Sequence, residues 1–432
     1  MEKGAQLKPR TGPETDTLWD VAVIGGGAAG MMAAGRAAEL GAKVILIEKN
    51  KSLGKKLLIT GGGRCNVTNA ELDDRKLLAK FGESGKFLFS PFSQFAVQET
   101  LDFFHSRGMP TKEAAEQRVF PLANTAEAVW QVLVDYVKNG GVTVRSNSAV
   151  RSLNSTGDSI EYVETKTGII RAKTFILATG GSSHPETGST GDGYAWLKSL
   201  GHAVSQESAA LVPISVKDEW IQRAAGVSLK DVKITLYQNN AKQGMRTGKV
   251  LFTHVGLSGP AILNMSRDIG ELLKYGDVDL EIDLLPDKGL DVVNAELQSL
   301  LKTHHAKKIK NSLSALVSPA LLPVILQLAE IDGETFCNSV TRDSRVRLMK
   351  ILKHVRLHVK DLLGLDKAVI TSGGAELIEV DVKTMRSRKI PNLFLVGDIL
   401  NINRPSGGYS LQLCWTTGFV AGSAAAAAAA AA

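Results

Sequence analysis

Three glycines in the first fifty residues constrain this chain more than any other feature. Gly25, Gly27 and Gly30 follow the apolar run WDVAVIGG (19–26) and open the helical stretch AAGMMAAGRAAELG (28–41), which leads into a second apolar run, AKVILIEK (42–49). A G-x-G-x-x-G between a strand and a helix predicts a βαβ unit whose bare backbone lets a pyrophosphate approach the N–H groups of the helix start. Gly25, Gly27, Ala28, Ala29 and Gly30 are therefore expected at the phosphates. Glu48 ends the second strand 18 residues beyond Gly30, where a carboxylate accepts from the ribose hydroxyls of an adenosine. Lys49, beside it, joins the expected cofactor-binding set.

At 432 residues the chain exceeds the size at which one core stops growing, roughly 250–300 residues, so two or three domains are expected. Cys65, Cys337 and Cys414 are the three cysteines, in no metal-ligating or CxxC spacing, which predicts neither a disulfide framework nor a metal site and points to the reducing cytoplasm. Residues 1–17 lack an apolar core and carry acidic residues, so they read as a flexible tail rather than a targeting peptide. Apart from the closing alanines no apolar run reaches the length of a membrane helix, so a soluble protein is expected. The run Ala424–Ala432 either continues a helix or is foreign to the native chain, and no function is assigned to it.

Further along, helical periodicity is visible near 93–107 and 125–139. Alternating runs from 142 to 173 read as a β-meander entering the apolar strand TFILATGG (174–181). Residues 205–290 are β-rich and barrel-like, 291–365 are almost free of glycine and read as a helical subdomain, and the strand NLFLVGD (392–398) precedes a glycine-rich turn and a last helix. The expected architecture is thus α/β: a discontinuous Rossmann-type FAD-binding domain of residues 18–204 and 366–423, an inserted β-barrel-like region, and a small helical subdomain.

NAD fits the opening βαβ unit equally well; the choice of FAD rests on two later features. ATGG ends a strand after a β-meander, placing Thr179, Gly180 and Gly181 at the site, and LFLVGD ends a strand at Gly397 and Asp398, which suits the flavin ribitol or a phosphate. Gly407 and Gly408 then precede Tyr409 and Ser410 at a helix start, whose N–H groups and positive dipole end suit an anionic flavin edge. Lys55, Lys56, Gly62, Gly63, Arg64, Cys65 and Asn66 form a cationic, glycine-rich loop able to fold over the pyrophosphate and flavin.

The segments IGGGAAGMMAA (24–34), GKKLLITGGGRCNVTN (54–69), QRVFP (117–121), ATGGSSHPETGSTGDGY (178–194), LFTHVGLSGP (251–260) and GDILNINRPSGGYSLQ (397–412) resemble the BaiN/RdsA (YhiN) family of FAD-dependent oxidoreductases. The resemblance spans about 19–422. It implies the FAD domain, a barrel-like insert, a small helical domain, and members that reduce either uridine in ribosomal RNA or steroid-like enones. Asn401 and Ser410 stand where the family usually has Asp and Asn, so no acid–base role is carried over to Asn401.

No second strand-GxGxxG-helix unit and no CxxxxC pair occur, so NAD(P)H is expected to dock transiently as reductant. Cys65, His184 and His254 are the candidate proton donors or redox groups, each weighed against an inert buried thiol or a loop histidine. Between Lys302 and Lys360 eleven Lys/Arg face four Asp/Glu, an excess of seven that equals the net charge of the whole chain. Projected on a helix, Arg342, Arg345, Lys350, Lys353, Arg356 and Lys360 share one face, expected to meet RNA phosphates or simply solvent. A flavin-dependent C=C reductase acting on ribosomal RNA leads the alternatives, which are a small-molecule reductase or oxidase and a non-catalytic flavin-binding protein.

Overall fold

A computed structural model describes residues 17–364, 366–368 and 370–432. The expected tail falls at residues 1–16, outside the described residues. The chain divides into two compact units, one running to Ser208 and resuming over Ile370–Ala432, the other Ala209–Val369.

In the first unit, strand β1 (Leu18–Ile24), helix α1 (Ala28–Glu39) and strand β2 (Val44–Ile47) form the predicted βαβ opening. β1 lies between β2 and the strand Gly168–Leu177, parallel to both, and Thr143–Arg145 extends the sheet beyond β2. The first half of Gly168–Leu177 continues antiparallel through Ser159–Thr165 to Val150–Thr156, while its second half pairs in parallel with Leu393–Leu395. Val21, Ala22, Val23 and Ile24 are all buried, the unbroken apolar pattern of a parallel strand covered on both faces.

Helices cover that sheet closely because their contact residues are small. The terminal helix Tyr409–Ala431 packs on α1 through Gly418 and Gly422, where an added Cβ would stand 2.6 Å from the Ala29 carbonyl oxygen and 2.5 Å from that of Ala33. Backbone contact of that kind admits no side chain. By length and composition this helix could cross a membrane, yet 61% of its most apolar stretch is buried within the unit, as in a core helix. The closing alanines continue it: Ala425, Ala426 and Ala429 are buried, and Lys173 Nζ donates to the Ala429 carbonyl at 2.9 Å.

The second unit holds a closed barrel of six strands: Ile214–Val216, Gly256–Ser258, Ala241–Phe252, Ser228–Gln238, Val278–Asp283 and Val355–Leu362, returning to the first. The barrel is therefore closed rather than merely barrel-like. The expected separate helical subdomain is not separate, because Val293, Leu297, Leu348 and Leu352 from its helices share one core with Ile234, Leu280 and Leu357 of the barrel.

The projected basic helix face is corrected as well. Its helix ends at Lys353, and Arg356 and Lys360 belong to the strand Val355–Leu362. In VRLHVKDL the apolar Val355, Leu357 and Val359 alternate with exposed Arg356, His358 and Lys360. That is a period of two, and Val355 with Val359 also satisfies helical i, i+4 spacing, which hides the change of element.

Gly418→Val is expected to destabilise the first unit by about 1–3 kcal/mol, since the branched side chain must displace the α1 backbone. Calorimetry on the holoprotein should show a lowered midpoint. An unchanged midpoint would mean that the two helices are not in the close contact described.

Candidate cofactor site

The site lies where the parallel strands end. Ala178 N–H donates to the Ile24 carbonyl at 2.9 Å and Gly25 N–H to the Ile47 carbonyl at 2.8 Å, which locks the three strand ends together. Gly25 has φ +104°, and a Cβ on it would lie 2.4 Å from the Ala178 carbonyl oxygen. A Cβ on Gly30 would lie 1.8 Å from the Gly25 carbonyl oxygen. These two glycines are required by the protein's own backbone.

Gly27 differs. It caps α1 without a side-chain hydrogen bond, the first turn holds no acidic residue, and no heavy atom lies within 4 Å of its would-be Cβ. The start of α1 therefore has no side-chain cap and presents a positive dipole end, the arrangement that suits a phosphate, while the Ala29 N–H is directed at the Cys414 thiol. Gly26, which sequence reasoning passed over, fixes the neighbouring acid: its N–H donates to Glu48 Oε2 at 2.8 Å, and its would-be Cβ meets Leu53 Cδ2 at 2.3 Å. Glu48 Oε1 accepts from Asn50 N and Nδ2 at 2.7 and 2.8 Å. Oε2, with one donor, keeps acceptor capacity for a ribose hydroxyl.

Three expected cations do something else. Lys49 Nζ pairs with Asp192 at 2.9 Å, Lys55 Nζ donates to the Glu186 carbonyl at 2.7 Å, and Lys56 Nζ donates to Ser183 Oγ at 2.5 Å. They grip the segment 183–192 that follows the ATGG strand end. Burial pushes the Lys56 ammonium's pKa down, and the charge of Asp398 partly opposes this.

Thr179 Oγ1 and Asn66 Oδ1 are buried side-chain atoms without a hydrogen-bond partner among the described residues. Both were expected at the cofactor, and buried acceptors left open call for a donor from a bound group. Gly180 has φ +73°, and a Cβ on Gly181 would stand 2.5 Å from Thr371 Oγ1. Gly397, at φ +70°, brings Asp398 to the end of Leu393–Leu395, where its carboxylate pairs with Arg404. The Arg404 side chain, fully buried, also donates from Nε to Ser410 Oγ at 3.0 Å and from Nη1 to the Ile402 carbonyl at 2.7 Å. Arg404 was missed by sequence reasoning, because nothing in its spacing marks it as buried.

The 54–69 and 397–412 segments meet. Gly408 caps the terminal helix, and its would-be Cβ falls 2.3 Å from the Thr68 backbone. Asn69 Nδ2 reaches the Gly407 carbonyl at 3.3 Å, and Thr68 Oγ1 donates to Gln412 Oε1 at 2.6 Å. Tyr409 is buried at the helix start. Gly62 and Gly63 stay open, and the exposed Arg64 lies 4.7 Å over the Phe120 ring.

Cys65 is fully buried, and burial pushes its thiol up to about 12, which keeps it protonated at neutral pH. A thiolate role is thereby disfavoured. His184, at φ +54°, holds Glu186 through Nδ1 at 2.9 Å within the segment that the lysines grip. His254 is exposed between two barrel strands of the second unit and takes no part in building the cradle. The open phosphate cradle, the ribose-facing carboxylate and the unpaired acceptors together fit FAD.

Residues 19–424 match the family model described as HI0933-like protein Rossmann domain. The chain is 31% identical over 409 residues to a 3-dehydro-bile acid delta(4,6)-reductase of Clostridium scindens, covering 94% of this chain and 98% of that one. It is 30% identical over 410 residues to the ribosomal RNA dihydrouridine synthase of Escherichia coli K12, covering 92% and 96%. Among solved structures, a flavocytochrome c3 fumarate reductase in its open conformation aligns with TM-score 0.55 at 16% identity, over 96% of this chain and 79% of that one. A 3-ketosteroid delta1-dehydrogenase from Sterolibacterium denitrificans aligns with TM-score 0.53 at 13% identity, over 95% and 99%. The two structural likenesses establish a shared fold.

Gly27→Leu, whose Cβ would meet no heavy atom within 4 Å, should purify folded yet colourless because it fills the phosphate cradle; full flavin absorbance in the folded variant would refute the site. Cys65→Ala should keep its flavin, and native Cys65 should resist iodoacetamide at pH 8, where a thiol of pKa near 12 offers almost no thiolate. Bleaching by the substitution, or rapid alkylation, would place the thiol in the binding or reactive machinery.

Proposed function

The chain belongs to the HI0933-like Rossmann family, and from that premise we propose that it is a reductase of activated C=C bonds, with uridine in ribosomal RNA as substrate and NAD(P)H as reductant. It is a FAD-dependent oxidoreductase. One observation carries the cofactor half of this reading: a phosphate cradle, Gly27, that the protein leaves empty of its own atoms beside acceptors that it leaves unpaired.

When bound, FAD supplies two-electron chemistry, taking a hydride from the nicotinamide and returning it to a conjugated double bond. The first turn of α1 holds the phosphates, and Glu48, oriented by Gly26 and Asn50, receives the ribose. Thr179, Gly180 and Gly181 line the strand end, while Asp398, held by buried Arg404, meets the ribitol side. The start of the terminal helix, behind Gly407 and Gly408, directs N–H groups toward negative charge. Lys56 holds the 183–192 segment, and His184, hydrogen-bonded to Glu186 within it, is the proposed proton donor of the first unit. Cys65 stays neutral and packs.

For the substrate, a bile acid delta(4,6)-reductase and a dihydrouridine synthase share one chemistry: each saturates a C=C conjugated to a carbonyl. Identities of 31% and 30% do not rank them. The net charge of +7 favours the polyanion, and a ribosomal substrate places the protein in the cytoplasm. The bile acid relative supports a small enone as the second reading.

In a strain lacking this protein, mass spectrometry of ribosomal RNA nucleosides should show one dihydrouridine restored to uridine. Unchanged dihydrouridine, together with NAD(P)H oxidation that needs a conjugated steroid enone, would assign the small-molecule substrate instead.

A further inference from the structure

We propose that single-stranded RNA lies along the barrel hairpin formed by Ser228–Gln238 and Ala241–Phe252; this rests on the RNA reading above. The segment 302–360 holds the largest charge excess in the sequence, but the fold spends much of that charge internally. Lys353 is buried, pairs with Asp283 at 2.7 Å and donates to the Leu285 carbonyl. Arg356 pairs with Asp279 at 2.6 Å, His354 with Glu281 at 3.0 Å, and Arg345 bonds Asn294 at 3.2 Å.

The hairpin is the reverse case. Between 228 and 252 stand Lys230, Lys233, Lys242, Arg246 and Lys249 against the single acid Asp231. Among the described residues none of these five cations pairs with a carboxylate, whereas Lys217, Lys353 and Arg356 of the same unit all do. All but the half-buried Lys233 are exposed.

Register decides which of them share a face. Ile234 and Leu236 are buried in the barrel, so Lys233, Thr235 and Tyr237 lie on the opposite face of the strand, where Thr235 is itself covered. Their cross-strand partners, Thr247, Met245 and Lys242, point the same way, and Lys249 follows two residues beyond Thr247. The outer face therefore carries Lys233, Lys242 and Lys249 around Met245, which is 60% exposed. On the far side of the Ser228–Gln238 strand runs an acidic border, with Asp283, Glu281 and Asp279 opposite Lys233, Thr235 and Tyr237. Those acids are taken up by Lys353, His354 and Arg356, so the cations without a carboxylate partner lie on the hairpin itself.

The hairpin turn carries amides, of which Asn240 Oδ1 accepts from Arg356 Nη2 at 2.6 Å. Asn239 and Asn240 are left-handed there, with φ +50° and +62°. Gln238 Nε2 donates to the Leu272 carbonyl at 2.6 Å, tying the turn to the loop that carries Tyr275, whose side chain is 78% exposed. A cationic track ending in an aromatic and several amides is the combination that binds unpaired nucleotides, by phosphate contact and base stacking. Reduction of a base also requires it outside the helical stack, which selects single-stranded RNA over duplex.

The test measures binding of a fluorescein-labelled oligouridylate of about 16 nucleotides to the FAD-loaded full chain across a salt series. For the triple variant Lys233→Gln, Lys242→Gln, Lys249→Gln, the slope of log K against log salt should fall by about 2 units, from about 0.7 per phosphate contact on a single strand. Tyr275→Ala should bind about tenfold more weakly at an unchanged slope. Flavin absorbance and reduction by NAD(P)H should match the parent protein in both variants. A triple variant with the parent's slope would overturn the hairpin assignment while leaving the RNA reading intact. If the parent protein binds no RNA at any salt, the RNA reading itself falls. Phosphatidylserine vesicles that bind the parent protein, compete with the RNA and lose affinity in the triple variant would reassign the track to lipid.

Discussion

Everything in the first unit depends on a contact between two pieces of backbone. The turn after β1 presses against the end of the strand Gly168–Leu177 so closely that the Gly25 Cβ position is occupied by the Ala178 carbonyl and the Gly30 position by the Gly25 carbonyl. Neither neighbour is a flexible side chain that can yield. Glycine is the residue that satisfies both, and once it does, the start of α1 is delivered to the C-terminal edge of the parallel strands without a side-chain cap. The switch point of such a sheet is where α/β proteins bind dinucleotides.

Around that contact the rest of the unit acts as a brace. The terminal helix reaches α1 through two more glycines, and its N-terminus is held by Thr68, Asn69 and the buried Arg404. Trp415 Nε1 donates to the Val67 carbonyl at 2.9 Å, closing the same junction from the core side. Removing one partner of a buried pair such as Asp398 and Arg404 typically costs about 3–5 kcal/mol, because the other charge is left stranded. The pair is thus a positioning device, fixing Asp398 to Ser410 in the first turn of the terminal helix through Arg404.

Charge in the second unit illustrates why a count differs from a surface. The segment with the greatest excess of Lys and Arg supplies the barrel with ion-pair partners, whereas the hairpin, with a smaller excess, leaves its cations without a carboxylate partner among the described residues. An exposed unpaired cation attracts a polyanion at little cost, while a paired one must first break its own contact.

By itself the sequence determined the βαβ opening, the strand ends at ATGG and LFLVGD, the discontinuous first domain and the terminal helix. These were legible because each is written in local chemistry: glycine where backbone crowds, unbroken apolar runs where both faces are covered, and fixed spacing where a turn demands it. Tertiary structure alone decided that Gly27 is open while Gly25 and Gly30 are filled, that Arg404 is buried against Asp398, and that Lys49, Lys55 and Lys56 grip a loop. It also split the projected basic helix at Lys353, where apolar residues four apart fitted a strand as well as a helix. The physical reason is common to these cases. Whether a glycine faces a neighbour or a void, and whether a cation meets a carboxylate or water, depends on atoms distant in the chain, and local spacing carries no record of them.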